Sequence, residues 1–290
     1  MTPEPARPEP ELLVSALSLR FGGLHVLRAV SLSAEAGQVT ALIGPNGAGK
    51  TALLNCINGL YEPAGGSIRI GGTEVVGKSP REIAHLGVAR TFQHVELFPR
   101  LTVVENILVG RDRKFRGGVV RWAARFRGAT AEETKEREVA LQLLAMFGLT
   151  RYADSPPQAL PYEAQKLVGL ARAVALEPRI ILLDEPGSGL SRKEKVSLAQ
   201  RIMELRRMGT AVVWIEHDVE LVWECADRVH VLDAGVCIAS GPPPQVKADA
   251  AVTAAYFGSR RLGRSAGEPG RHGDGSASQA KEERPRGIDH

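Results

Sequence analysis

The chain has 290 residues, 43% of them hydrophobic, and a net charge of +4, which is enough to bury the core of one large domain or two small ones. No apolar run approaches the roughly 20 residues of a membrane span, and Cys56, Cys225 and Cys237 are scattered without a CxxC pair. The composition therefore points away from a membrane-spanning chain, a disulfide framework or a zinc module, and towards a reducing cytosol.

In chain order, MTPEPARPEPE (1–11) is proline-rich and acidic, unlike a secretion signal, and is expected to be a disordered tail. The folded part is expected over 12–258. LLVSALSLRF alternates as a half-buried strand does, VTALIG reads as a short buried strand before the helix GKTALLNCING, and SIRIGGTEVV reads as a hairpin turned at Gly71 and Gly72. About residues 94–168 the pattern becomes mostly helical, with Val139, Leu143, Met146 and Phe147 at helical spacing, so an inserted helical subdomain is expected there. Its segment 111–127, RDRKFRGGVVRWAARFR, carries seven basic residues against one acid. That segment reads equally as an interfacial helix near anionic lipid, a positive contact for acidic partner loops or a solvated arm, whereas nucleic-acid binding lacks further support.

Beyond it, RIILLDEP precedes the helix KEKVSLAQRIMELRRMG, AVVWI forms another apolar strand, and RVHVLDAGVCIASG reads as a second hairpin. Strands alternating with helices predict an α/β fold whose parallel sheet is covered on both faces. Residues 259–290 are rich in Gly, Ser, Pro and mixed charge, and are expected to be a disordered C-terminal tail.

Three stretches carry chemistry. GPNGAGKT, Gly44 to Thr51, satisfies GxxxxGK[ST] between a strand and a helix. Glycines there let backbone N–H groups wrap phosphate, Lys50 reaches the outer phosphates and Thr51 ligates magnesium. In IILLDEP, Asp184 is placed to hold the metal and Glu185 to orient and deprotonate an attacking water. In VVWIEHD, a third apolar strand ends at His217, which on its own is as well read as a hydrogen-bonded structural histidine.

Taken with TFQHVELF, which contains Gln93, these stretches stand in the order and spacing of the ATP-binding subunits of ABC transporters, and the sequence resembles that family over nearly all of 12–258. RFGGLHVL, VARTFQHVELFPRLTVVENILVG, LPY, EHDVELV and AAYFG look closest to its branch of branched-chain amino acid importer ATPases. The resemblance implies the ABC ATPase fold, a P-loop NTPase parallel sheet with an antiparallel β subdomain and an inserted helical subdomain. It implies ATP and Mg2+ as ligands, with Phe21 stacking on adenine and Gly44, Pro45, Asn46, Gly47, Ala48, Gly49, Lys50, Thr51 and Ala52 binding the nucleotide. Thr51, Gln93 and Asp184 would ligate the metal, and Glu185, His217 and Gln93 would serve hydrolysis. Members of the family sandwich two ATP molecules between two ATPase domains, each held by one subunit's phosphate loop and the other's signature loop.

The matching signature here, LPYEAQ, supplies Leu160, Pro161, Tyr162, Glu163 and Gln165, but Glu163 replaces a glycine and Ala164 a glutamine of the family pattern. An acid in a helix's first turn gains about 0.3 to 1 kcal/mol. A carboxylate about 5 Å from a phosphate charge at an effective dielectric of about 20 costs about 3 kcal/mol. The half-site built on this loop is therefore expected to be impaired, favouring a heterodimer with a paralogous ATPase. GSGLS (187–191) also departs slightly, with Ser191 where the branch often has asparagine.

The resemblance implies transmembrane permease subunits as partners, a solute-binding protein indirectly, no nucleic acid, and a place on the cytoplasmic face of the inner membrane. The function expected is ATP hydrolysis driving import of a small solute, such as branched-chain or other amino acids. The alternatives are a subunit with impaired hydrolysis working in a heterodimer, and a soluble non-transport ABC ATPase.

Overall fold

The computed structural model describes residues 9–91, 96–111 and 131–255. A six-stranded sheet forms its centre. It is built from β3 (Val39–Ile43), β6 (Val88–Thr91), β7 (Ile180–Asp184), β8 (Ala211–Ile215), β9 (Arg228–Asp233) and β10 (Val236–Gly241), in the order β10-β9-β3-β8-β7-β6. All neighbours are parallel except the β9–β10 edge hairpin.

Alternation along these strands serves two cores at once. Ile181 and Leu183 of β7 and Val212 and Trp214 of β8 face one hydrophobic cluster, while Ile180, Leu182, Ala211, Val213 and Ile215 face the other. A strand buried on both faces reads as an unbroken apolar run, which is why IILL and AVVWI are so uniform.

The first cluster packs helices α3 (Val103–Gly110), α4 (Ala131–Met146), α5 (Tyr162–Val174) and α6 (Arg192–Arg207) against one face. The second packs α1 (Lys50–Ile57) and an antiparallel sheet against the other face. That sheet runs β2-β1-β4-β5, with β1 at Leu12–Phe21, β2 at Leu24–Ala34, β4 at Gly65–Ile70 and β5 at Thr73–Glu74. A smaller third cluster joins β3 and β9 to α7 (Val219–Cys225) and α8 (Pro243–Lys247). A further helix, α2 (Pro80–His85), leads into β6.

Both expected hairpins form. Gly71 and Gly72 turn β4 into β5 with φ of 52° and 78°, and Ala234 and Gly235 turn β9 into β10 with φ of 44° and 80°, the left-handed pair that two-residue hairpin turns require.

The helix expected from the spacing of Val139, Leu143, Met146 and Phe147 forms as α4. Ala140, Leu144 and Phe147 make its buried line, and half-buried Leu143 and Met146 pack against the same cluster. The line continues back to Glu136, whose carboxylate bonds the buried Arg111 guanidinium. Arg111 also donates to Glu177 at 3.1 Å, so the first cation of the basic segment is a buried ion-pair partner. Residues 112–127, the rest of that segment, lie outside the described residues, as do both expected tails apart from Glu9, Pro10 and Glu11. Among the described residues, no helix is long and apolar enough to cross a membrane.

Candidate nucleotide site

Helix starts differ in how they are capped. α2, α3 and α6 each open with a full capping box, Ser79/Glu82, Thr102/Glu105 and Ser191/Glu194, which satisfies the orphan first-turn N–H groups. Ser191, the small departure noted in GSGLS, is thus a helix cap. By contrast α1 starts from Gly49 and α5 from Pro161, neither with a side-chain cap, so their first-turn amides remain for another acceptor.

The phosphate loop connects β3 to α1 and cannot carry side chains at its ends. A Cβ on Gly44 would lie 2.0 Å from the Leu232 carbonyl oxygen, and one on Gly49 (φ 101°) would meet Leu27 at 2.9 Å. Gly47 lies at φ 80° with open space around it, so there the backbone conformation alone favours glycine. Lys50 is buried and its Nζ donates to the Gly44 and Pro45 carbonyls at 2.8 and 3.0 Å. Burial lowers its pKa, with Glu185 and Asp184 pulling the other way.

At the C-terminal end of β7, Asp184 meets the start of α1, and Thr51 Oγ1 donates to Asp184 Oδ1 at 3.3 Å. The other carboxylate oxygen accepts from Arg90 at 2.9 Å, and Arg90 in turn donates to Asn55 of α1 at 2.6 Å. Thr51 and Asp184 therefore present adjacent hard oxygens, a donor set that fits Mg2+, which takes one or two protein oxygens and leaves its other positions to phosphates and water.

Glu185 follows with φ 48°, a left-handed conformation that costs a non-glycine residue energy and that concentrates at functional sites. Its N–H donates to Ile215 O at 3.1 Å, and its Oε1 lies 2.6 Å from His217 Nε2. The structure thus brings Gly44 to Ala52, Asp184, Glu185 and His217 to the adjoining ends of β3, β7 and β8. Gln93 lies outside the described residues.

Phe21 ends β1, half exposed, and meets Tyr61 edge to face with ring centroids 5.2 Å apart. Leu160 is buried, Pro161 caps α5, Tyr162 and Glu163 open its first turn, and Gln165 Nε2 donates to Leu160 O at 2.9 Å. No hydrogen bond or ion pair among the described residues joins Leu160–Gln165 to the phosphate loop.

Arg90, Asn55 and Tyr61 were not anticipated from sequence. A single sequence carries no signal for them, since their partners lie in distant chain segments.

The family model for ABC transporters matches residues 27–188. The chain belongs to the ABC transporter family. Among the relatives of this ABC ATPase is the high-affinity branched-chain amino acid transport ATP-binding protein BraF of Pseudomonas aeruginosa, 40% identical with 86% of this chain and 98% of BraF aligned. LivG of Salmonella typhimurium, of the same description, is 37% identical over 86% of this chain and 98% of its own. The ADP conformation of MJ1267, an ATP-binding cassette of an ABC transporter, superimposes with a TM-score of 0.75 at 29% identity, covering 86% of this chain and 99% of that one. A dimeric post-hydrolysis state of the cassette MJ0796, bound to ADP and Pi, gives 0.67 at 27% identity, covering 80% and 98%. This ABC ATPase accordingly has the α/β fold expected of it and is an ATP-binding subunit.

Proposed function

We propose that the chain hydrolyses ATP to drive import of branched-chain or similar small amino acids through separate permease subunits, from the cytoplasmic face of the membrane. The hydrolytic reading rests on one observation above all, the Glu185–His217 hydrogen bond beside the Thr51–Asp184 pair. The substrate reading rests on the descriptions of BraF and LivG.

In this reading Phe21, with Tyr61 beside it, takes the adenine. Backbone amides of Gly44 to Ala52 wrap the phosphates, and Lys50 exchanges its two carbonyl acceptors for phosphate oxygens. Thr51, Asp184 and Gln93 would hold Mg2+, which when bound neutralises charge on the phosphate oxygens. Glu185 accepts the proton of the attacking water, and His217 fixes the carboxylate and reaches the γ-phosphate. Lys50 then stabilises charge developing at the leaving oxygen.

The second nucleotide contact comes from the signature loop of another subunit, in keeping with the dimeric state of the cassette MJ0796 bound to ADP and Pi. Glu163, the one acid in the first turn of α5, puts a carboxylate where that helix end would face phosphate. The chain therefore works best in a heterodimer, donating Lys50 and Glu185 to one half-site while a paralogous ATPase donates the signature loop.

The transport reading is tested by reconstituting the chain with its co-purifying membrane subunits in proteoliposomes. Uptake of labelled leucine should require enclosed ATP and be lost with Glu185→Gln. ATP-dependent uptake of another solute with no leucine uptake would contradict the substrate assignment.

A further inference from the structure

The loop that follows Glu185 is gripped from two sides. On one side stands α5. Lys166, a buried lysine on its second turn, donates from Nζ to the Pro186 carbonyl at 3.0 Å, and the same ammonium lies 5.3 Å from the Tyr162 ring centroid. The Tyr162 ring in turn packs on Gly189, where an added Cβ would sit 3.2 Å from Cε1.

On the other side stands the buried Glu216. Its Oε1 accepts from the His217 and Asp218 amides at 2.9 and 3.3 Å, and its Oε2 has no hydrogen-bond partner among the described residues. An added Cβ on Gly187 would sit 2.9 Å from that oxygen. Gly187 and Gly189 are thus the places where the loop slides between two charged walls, and neither has room for a side chain without movement.

A buried ammonium is costly unless it is held and counter-charged. Lys166 meets that condition through Pro186, its hydrogen-bond acceptor in this loop, and through the nearby carboxylates of Glu216 and Glu185. Burial still lowers its pKa. A lysine serving only to pack the helix would have its stem buried and its head in water. Here the head is aimed inward, at the residue after the carboxylate.

We propose that Lys166 is a positioning residue for Glu185, tying α5 to the Pro186 carbonyl so that the helix carrying a subunit's signature loop sets the placement of the same subunit's hydrolytic carboxylate. Because one dimer site uses α5 and the other uses Glu185 of the same chain, Lys166 links the two sites within one subunit. The inference rests on Glu185 being the group that activates water.

The test is amide hydrogen exchange on the full-length, nucleotide-free chain, comparing wild type with Lys166→Met, which keeps the stem and loses the donor, and Lys166→Arg, which keeps the donor. Exchange at Gly187 to Leu190 should rise roughly tenfold in Lys166→Met, stay near wild type in Lys166→Arg, and leave the amides of β3 and β8 unchanged. Under conditions where wild type hydrolyses ATP, kcat should fall by a similar factor with KM held within about twofold. Lys166→Leu replaces Lys166→Met if that variant does not fold.

Unchanged exchange in the loop, or a rise shared by the whole sheet, overturns the proposal. Glu185→Gln run alongside separates the two readings. Full hydrolysis by Glu185→Gln would remove the role of Glu185, while the exchange result would still decide whether Lys166 holds the loop.

Discussion

Arg90 and Asp184 are separated by 94 residues in sequence, yet their side chains, 6% and 7% exposed, meet at 2.9 Å. Removing one partner of such a pair leaves a buried charge uncompensated, so Arg90→Met should lower unfolding stability by about 3 to 5 kcal/mol in urea titration. Arg90→Lys should recover only part of this, because lysine cannot reach Asn55 and Asp184 as a planar fork. A loss below about 1 kcal/mol for Arg90→Met would mean that the pair is solvent-screened and does not hold the site. This residue marks where sequence reading stops. Lys50, Thr51 and Asp184 stood out in the sequence because the proposed phosphate and metal chemistry demands those residue types at fixed spacing, and the structure brings Thr51 and Asp184 together. Arg90, Lys166 and Tyr61 owe their roles to distant neighbours, and a single sequence does not show which chain segments become neighbours.

Elements were legible where backbone rules act locally. Gly71 and Gly72 had to turn, and the apolar runs of β7 and β8 had to be buried on both faces. α4 was harder. Its buried line takes in a charged residue, Glu136, which bonds Arg111, and periodicity of apolar residues is blind to a buried charge. The β9–β10 hairpin hides another polar group. His230 is 3% exposed on β9, and burial first, then the charge of Arg228, brings its pKa down from 6.5 to about 4. The folded chain thus binds this proton less readily than the unfolded chain, so its contribution is complete above pH about 6.5 and is lost progressively as pH falls towards about 4. The loss reaches about 3 kcal/mol. Urea midpoints measured from pH 7 to pH 4.5 should fall for wild type and fall less steeply for His230→Gln. Equal slopes would show that His230 is not the titrating group.

At the scale of the whole molecule, the proposed function has one chain contribute to two different sites. The ends of β3, β7 and β8 gather Lys50, Thr51, Asp184, Glu185 and His217, while α5 presents an uncapped N-terminus with Glu163 in its first turn. The family and its fold were readable from the motifs, and the comparisons place the chain there. In the proposed heterodimer the pairing of subunits turns on the charge of Glu163 at a helix end, and that can be measured directly. Steady-state ATP hydrolysis of the purified chain over a range of protein concentrations, for wild type, Glu163→Gly and Glu185→Gln, tests the central claim. The account predicts little activity for wild type, activity rising faster than linearly with protein for Glu163→Gly by at least about tenfold, as relief of about 3 kcal/mol of repulsion allows, and none for Glu185→Gln. Wild type as active as Glu163→Gly would contradict it, because the carboxylate would then be tolerated and two copies of this chain would suffice.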